Sequence, residues 1–135
     1  MFEVSVQTEF AAAHALTIAG KREPVHGHNW RVTITARGPV LDADGLLCDF
    51  HALERALHEA VARFRNADLN AAPPFAAGVN PSAENVAKHV AERVAPDLPQ
   101  GVWVAWVRVT EAPGCEAVYE PDAPTAAARP TGRTR

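Results

Sequence analysis

Two histidines separated by one glycine, His26 and His28, open a stretch in which Trp30, Val32 and Ile34 alternate with Arg31, Thr33 and Thr35. Strict alternation predicts a half-buried β-strand, where residues i and i+2 share a face, so both imidazoles can turn toward one ion. His14, in "FAAAHAL" at the end of an earlier strand-like run, is placed to supply a third. Three imidazoles suit Zn2+ and leave a fourth position for water or substrate, the layout of a catalytic zinc. On spacing alone the alternative stays open, because an H-x-H pair also occurs in strands without any metal. His51, His58 and His89 fall within helical patterns without a partner at metal spacing, and surface or helix-packing roles are expected for them.

Carboxylates supply the other candidate chemistry. In "GVWVAWVRVTE" the alternating set Trp103, Ala105, Val107, Val109 and Glu111 ends an apolar face in a carboxylate, which is costly to bury unpaired. Either the strand has reached solvent there or Glu111 meets a partner. Glu84 stands where a helix begins, a place where the dipole alone favours an acid. Glu23 is the proton acceptor nearest in sequence to the His26 and His28 pair.

The elements that must position these groups follow from period and punctuation. Phe2, Val4 and Val6 alternate with Glu3, Ser5 and Gln7, predicting a first strand that pairs hairpin-fashion with the strand from His26. The intervening "TIAGKREP" reads as a loop, and "LLCDF" as a short strand or the lead-in to a helix. From Asp49, a cap, the spacing of Phe50, Leu53, Leu57, Val61 and Phe64 predicts an amphipathic helix. Asn80 and Pro81 open a second helix with Val86, Val90 and Val94 as its buried stripe. "GVWVAWVRVTE" and "CEAVYE", joined by a turn, predict two final strands. The expected architecture is α+β, a four-stranded antiparallel sheet with two helices on one face, in a single domain over residues 1–120. Residues 121–135, Pro-rich and without apolar period, are expected to form a flexible tail.

Composition narrows the function. The 135 residues carry a net charge of −3, and "DAPTAAARPTGRTR" holds three of the 13 basic residues but one of the 16 acidic ones, so the remainder is more acidic still. A nucleic-acid partner is not expected of such a surface. Neither a membrane span nor an export signal is legible, and a cytoplasmic protein with a small-molecule substrate is expected. Cys48 and Cys115 are expected to be small buried hydrophobes rather than a disulfide.

The segments "FAAAHAL", "HGHNW", "GLLCDF", "NPSAENVA" and "VTEAPGCEAVY" resemble, in the same order and at similar separations, the 6-pyruvoyltetrahydropterin synthase and 6-carboxytetrahydropterin synthase family. The resemblance covers roughly residues 2–120. It implies a tunnelling fold and Zn2+ held by His14, His26 and His28. It also implies a pterin bound between subunits by Glu111 and, at a second acidic position, Glu84, within a homo-hexamer that is a dimer of trimers.

Two departures bear on the reaction. Family members usually carry a cysteine shortly before H-G-H that acts as general base; here no cysteine stands between His14 and His26, and Glu23 resembles a variant in which glutamate replaces it. That variant implies cleavage of 7,8-dihydroneopterin, or its phosphorylated form, to 6-hydroxymethyl-7,8-dihydropterin. The usual L-D-H-x-x-L-N stretch is replaced by "FRNADLN", so Arg65 and Asn66 stand where Asp and His are expected. Asn66 can hydrogen-bond an intermediate but cannot exchange protons, and Arg65 could bind a phosphate or lower a neighbouring carboxylate's pKa. The alternatives are synthesis of 6-carboxytetrahydropterin or 6-pyruvoyltetrahydropterin, and a non-catalytic pterin-binding role.

Overall fold

A computed structural model describes residues 1–124. β1 (Phe2–His14) and β4 (His26–Gly38) form one long antiparallel ladder running from the Phe2 and Gly38 pair to the His14 and His26 pair. The expected loop between them is a small hairpin, β2 (Thr17–Ile18) against β3 (Lys21–Arg22). Its two turn residues, Ala19 and Gly20, both have positive φ, at 51° and 78°, which is the backbone of a tight two-residue hairpin turn.

"LLCDF" leads into a helix rather than forming a strand. α1 (Phe50–Val61) starts at Asp49, whose carboxylate accepts a hydrogen bond from the His51 N–H. β5 (Ala67–Asp68) then runs parallel to β1 at Ala12 and Ala13. α2 (Ala83–Val94) begins two residues later than Asn80 and Pro81 suggest, because Ser82 is the cap and its hydroxyl accepts from the Asn85 N–H. β6 (Trp103–Ala112) and β7 (Cys115–Tyr119) close the sheet, whose order is β5-β1-β4-β6-β7. The class is α+β as expected, but the sheet has five strands and is mixed; two residues of β5 are too few to carry a period.

The core lies between the sheet and the helices, with α1 against β1, α2 against β6 and β7, and the helices against each other. Trp30, Val32, Ile34, Leu57, Val61, Val86, Val90 and Val94 are fully buried, each such side chain contributing about 1.5–3 kcal/mol. Phe64, beyond the end of α1, packs on Phe10 and Phe75. Phe50, expected in the same stripe, is exposed.

The even alternation expected along β6 fails at one place. Thr35 pairs with Trp106 but Ala36 pairs with Val104, leaving Ala105 as a bulge. The buried face therefore reads Val104, Val107, Val109, and Trp103 and Ala105 leave it. Cys48 is buried as expected, whereas Cys115 is exposed; both are free thiols. Among the described residues no helix is long and apolar enough to cross a membrane. Residues 121–124 lack regular structure, and the remainder of the expected tail lies outside the described residues.

Two predictions follow the packing. Phe64→Ala is expected to lower unfolding free energy by about 3–5 kcal/mol in urea titrations, because it leaves a cavity among rigid neighbours. Burial, reinforced by Arg93, holds His89 below the ordinary imidazole pKa. Its ring packs at a tilt against both Phe64 and Phe75. The unfolded chain thus takes up this proton first, so stability is full above about pH 6.5 and declines as pH falls below it. In parallel urea titrations at pH 7.5 and 5.5, His89→Leu should lose less stability than the parent; an equal loss would remove His89 from the account.

Candidate metal centre

The β1 and β4 register sets His14 directly opposite His26 and His28 opposite Ala12, with all three imidazoles on the helix-covered face at the end of the core. Two of them are oriented from behind. His14 Nδ1 lies 2.8 Å from the Pro81 carbonyl and His26 Nδ1 lies 2.9 Å from the Pro24 carbonyl. A carbonyl only accepts, so each Nδ1 carries the proton and each Nε2 presents a lone pair. Those two Nε2 atoms stand 3.1 Å apart.

Glu111 joins them. Its Oε1 is 2.9 Å from His14 Nε2 and 3.0 Å from His28 Nε2. The latter approach lacks hydrogen-bond alignment, and His28 Nε2 is a buried nitrogen without a hydrogen-bond partner among the described residues. One donor atom from each of the four residues lies within 4.8 Å of all the others. Donors arranged tetrahedrally about 2.05 Å from an ion would stand about 3.3 Å apart, close to the shorter separations here. Burial lowers the His28 pKa, with His14 and His26 acting the same way and Glu111 opposing them, so His28 is held toward the neutral form that ligates. The converging lone pairs, the unpartnered nitrogen and the spacing all fit a bound cation.

Several neighbours hold the cluster in place. The Trp30 ring meets His14 and His28 edge-on at 4.9 and 5.7 Å, and its Nε1–H donates to the Ala12 carbonyl at 3.1 Å. Sequence reading missed two further positioning residues. The Asn70 side chain accepts from the Ala15 N–H at 2.8 Å and donates to the Ala15 carbonyl at 2.9 Å. Asn80 does the same for Thr17, both at 3.0 Å. Each amide thus stands in for a strand partner beside His14; the available signal was an asparagine closing "DLN" and opening "NPS".

Glu23 comes near the cluster: its Oε1 accepts from the Leu16 N–H at 2.9 Å and lies 3.7 Å from His26 Nε2. Glu84 is exposed in the first turn of α2, three residues past the carbonyl that orients His14. Asn66 does not join the cluster in this chain. It adopts a left-handed φ of 54°, donates its N–H to the Ala11 carbonyl at 2.7 Å, and borders a depression of about 500 Å³ with Ala13, Gly27, His28 and Asn29. Arg65, an exposed residue, donates to the Glu9 carbonyl at 3.0 Å and to Thr8 Oγ1 at 2.7 Å. Burial pushes the Cys48 thiol up, away from thiolate chemistry.

Metal binding is directly testable. The purified protein should retain one divalent ion per chain by elemental analysis, and a chelator should lower its Tm, since a ligand at 100 times its Kd adds about 2.7 kcal/mol. His28→Ala should lose both the ion and the chelator response; a chelator-insensitive parent without metal would sink the assignment.

Comparison with known proteins agrees with this geometry. The 6-pyruvoyl tetrahydropterin synthase family signature matches residues 3–122. A putative 6-carboxy-5,6,7,8-tetrahydropterin synthase of Archaeoglobus fulgidus is 32% identical over 108 residues, covering 80% of this chain and 86% of that protein. A dihydroneopterin monophosphate aldolase of Pyrococcus furiosus is 29% identical over 96 residues, covering 71% and 77%. The Caenorhabditis elegans 6-pyruvoyl tetrahydropterin synthase structure superposes with a TM-score of 0.77 at 20% identity, covering 90% and 96%. A Plasmodium vivax synthase in which a glutamate described as a catalytic residue is replaced by alanine superposes with a TM-score of 0.72 at 16% identity, covering 90% and 98%. Because the matched signature runs through both histidine-bearing strands and on past Glu111, the chain belongs to the 6-pyruvoyl tetrahydropterin synthase family.

Proposed function

We propose that this protein, within a single domain over residues 1–120, is a zinc-dependent lyase acting on the side chain of 7,8-dihydroneopterin or its phosphate. Its product is 6-hydroxymethyl-7,8-dihydropterin. The observation that carries the proposal is Glu23, a carboxylate 3.7 Å from a cluster histidine, where neither cysteine joins the cluster. The name of the P. furiosus relative, an aldolase, and the catalytic glutamate named for the P. vivax enzyme support the same choice.

His14, His26 and His28 would hold Zn2+, which supplies Lewis acidity toward the substrate's side-chain hydroxyls. Glu23 removes the proton from the hydroxyl on the second side-chain carbon. That oxygen becomes the carbonyl of the departing two-carbon aldehyde, the bond between the first and second carbons breaks, and its electrons pass into the ring imine. Glu23 then returns its proton to the first carbon, which leaves a hydroxymethyl group. The Leu16 N–H aims the carboxylate, and a positioned general base contributes about 10² to 10⁴-fold.

Glu111, with Glu84 as a second acid, recognises the pterin through its amino group and ring N–H, a planar bidentate pairing. Asn66, which does not join the cluster in its own chain, serves a neighbouring subunit's site in a homo-hexamer, a dimer of trimers. The A. fulgidus relative's name favours 6-carboxytetrahydropterin as the alternative product, and the Arg65 and Asn66 substitutions favour a non-catalytic pterin binder as a third possibility.

Metal-loaded protein incubated with 7,8-dihydroneopterin, its monophosphate and its triphosphate should release hydroxymethyldihydropterin, identified by mass spectrometry. Glu23→Gln should slow this by about 10² to 10⁴-fold. Release undiminished by Glu23→Gln would falsify the proposed base, and tight pterin binding without turnover would favour the non-catalytic role. Light scattering should give about six times the 14.5 kDa chain mass.

A further inference from the structure

Glu111 is required in two places. Its Oε1 stands 2.9 and 3.0 Å from two cluster nitrogens, yet pairing with a pterin ring calls for both carboxylate oxygens to face that ring. We propose that Glu111 is an exchangeable metal ligand: it completes a four-donor shell in the pterin-free protein and leaves that shell when a pterin ring takes its carboxylate. Seating the ring thereby opens a coordination position for the substrate side chain. The proposal rests on the pterin-lyase function above.

Backbone geometry singles out Glu111 as the donor able to move. Thr110 pairs with Glu116 and Ala112 with Cys115, so Glu111 is the extra residue of a bulge on the β7 side. The ladder to β4 ends at the Arg31 and Thr110 pair, so no described strand pairs with Glu111 on that side. Its carboxylate can swing without breaking a ladder bond. His14 and His26 are more constrained, because release would pull Nδ1 from the Pro81 or Pro24 carbonyl, and His28 is packed edge-on against Trp30. The Nδ1–H of buried His14 would be left unpaired, a penalty the carboxylate avoids by exchanging one partner for another.

The exchange predicts coupling of a definite sign. A ring that removes Glu111 from the metal must raise the metal's affinity for a small exogenous anion, and the anion must raise the ring's affinity by the same factor. The test uses cobalt-substituted protein, with azide binding followed by visible absorption and 6-methylpterin, which lacks side-chain hydroxyls, followed by fluorescence. Azide should bind the parent about 10-fold or more weakly than it binds Glu111→Gln and Glu111→Ala, and saturating 6-methylpterin should recover about 10-fold in the parent alone. Equal azide affinity in all three proteins, or azide binding in the parent that 6-methylpterin leaves unchanged or weakens, would overturn the exchange. Failure to retain cobalt overturns the metal centre as well. Failure to bind 6-methylpterin counts instead against the pterin function, while the azide comparison between parent and variants still decides whether the carboxylate is a ligand.

Discussion

Four atoms carrying lone pairs meet within 4.8 Å at the end of the hydrophobic core, and most of the nearby architecture holds that arrangement together. Left alone, such donors repel and would turn to solvent or to hydrogen-bond donors. Here they cannot. The long β1 and β4 ladder fixes the backbone beneath the three imidazoles, two carbonyls fix the His14 and His26 protons at Nδ1, and fully buried Trp30 meets His14 and His28 edge-on. Folding energy drawn from the apolar face is converted into a preorganised donor set that fits a cation.

The same economy of scaffolding explains the residues that depart from the family spelling. Arg65 caps unpaired oxygens along the outer edge of β1, and Asn66 takes the left-handed conformation that lets the chain double back into β5, a backbone state asparagine tolerates better than most residues. These two positions contribute to the fold of this chain whatever they contribute to chemistry. Asn70 and Asn80 likewise use side-chain amides where the sheet offers no strand, tying the segment after α1 and the approach to α2 to the residues just past His14.

What could be read from the sequence was whatever repeats at a regular period. Alternation disclosed β1 and β4 and put His26 and His28 on one face, and the 3.6-residue period disclosed both helices. Features decided by pairing between distant segments were not legible. The bulge at Ala105 depends on how β6 meets β4, and it reverses the face assigned to Trp103 and Ala105. The two-residue β5 has no period at all, and Phe50 matches the helical stripe yet lies at the rim where α1 begins. Spacing named the three histidines, and alternation set Glu111 on the face of Val107 and Val109, but only the folded chain brings that carboxylate beside the imidazoles.

Because the first hairpin is complete by Gly38, all three imidazoles emerge early in synthesis on a single pair of strands, whereas Glu111 emerges only after both helices. The donors of the cluster are therefore synthesised in two instalments. The carbonyl that orients His14 belongs to Pro81, which is also made after β4. Closing the remaining, far longer loop to Glu111 adds only a slowly growing entropic cost, since that cost rises with the logarithm of chain separation. The three nitrogen donors belong to the first-made part of the chain and the carboxylate to one of its last-made strands.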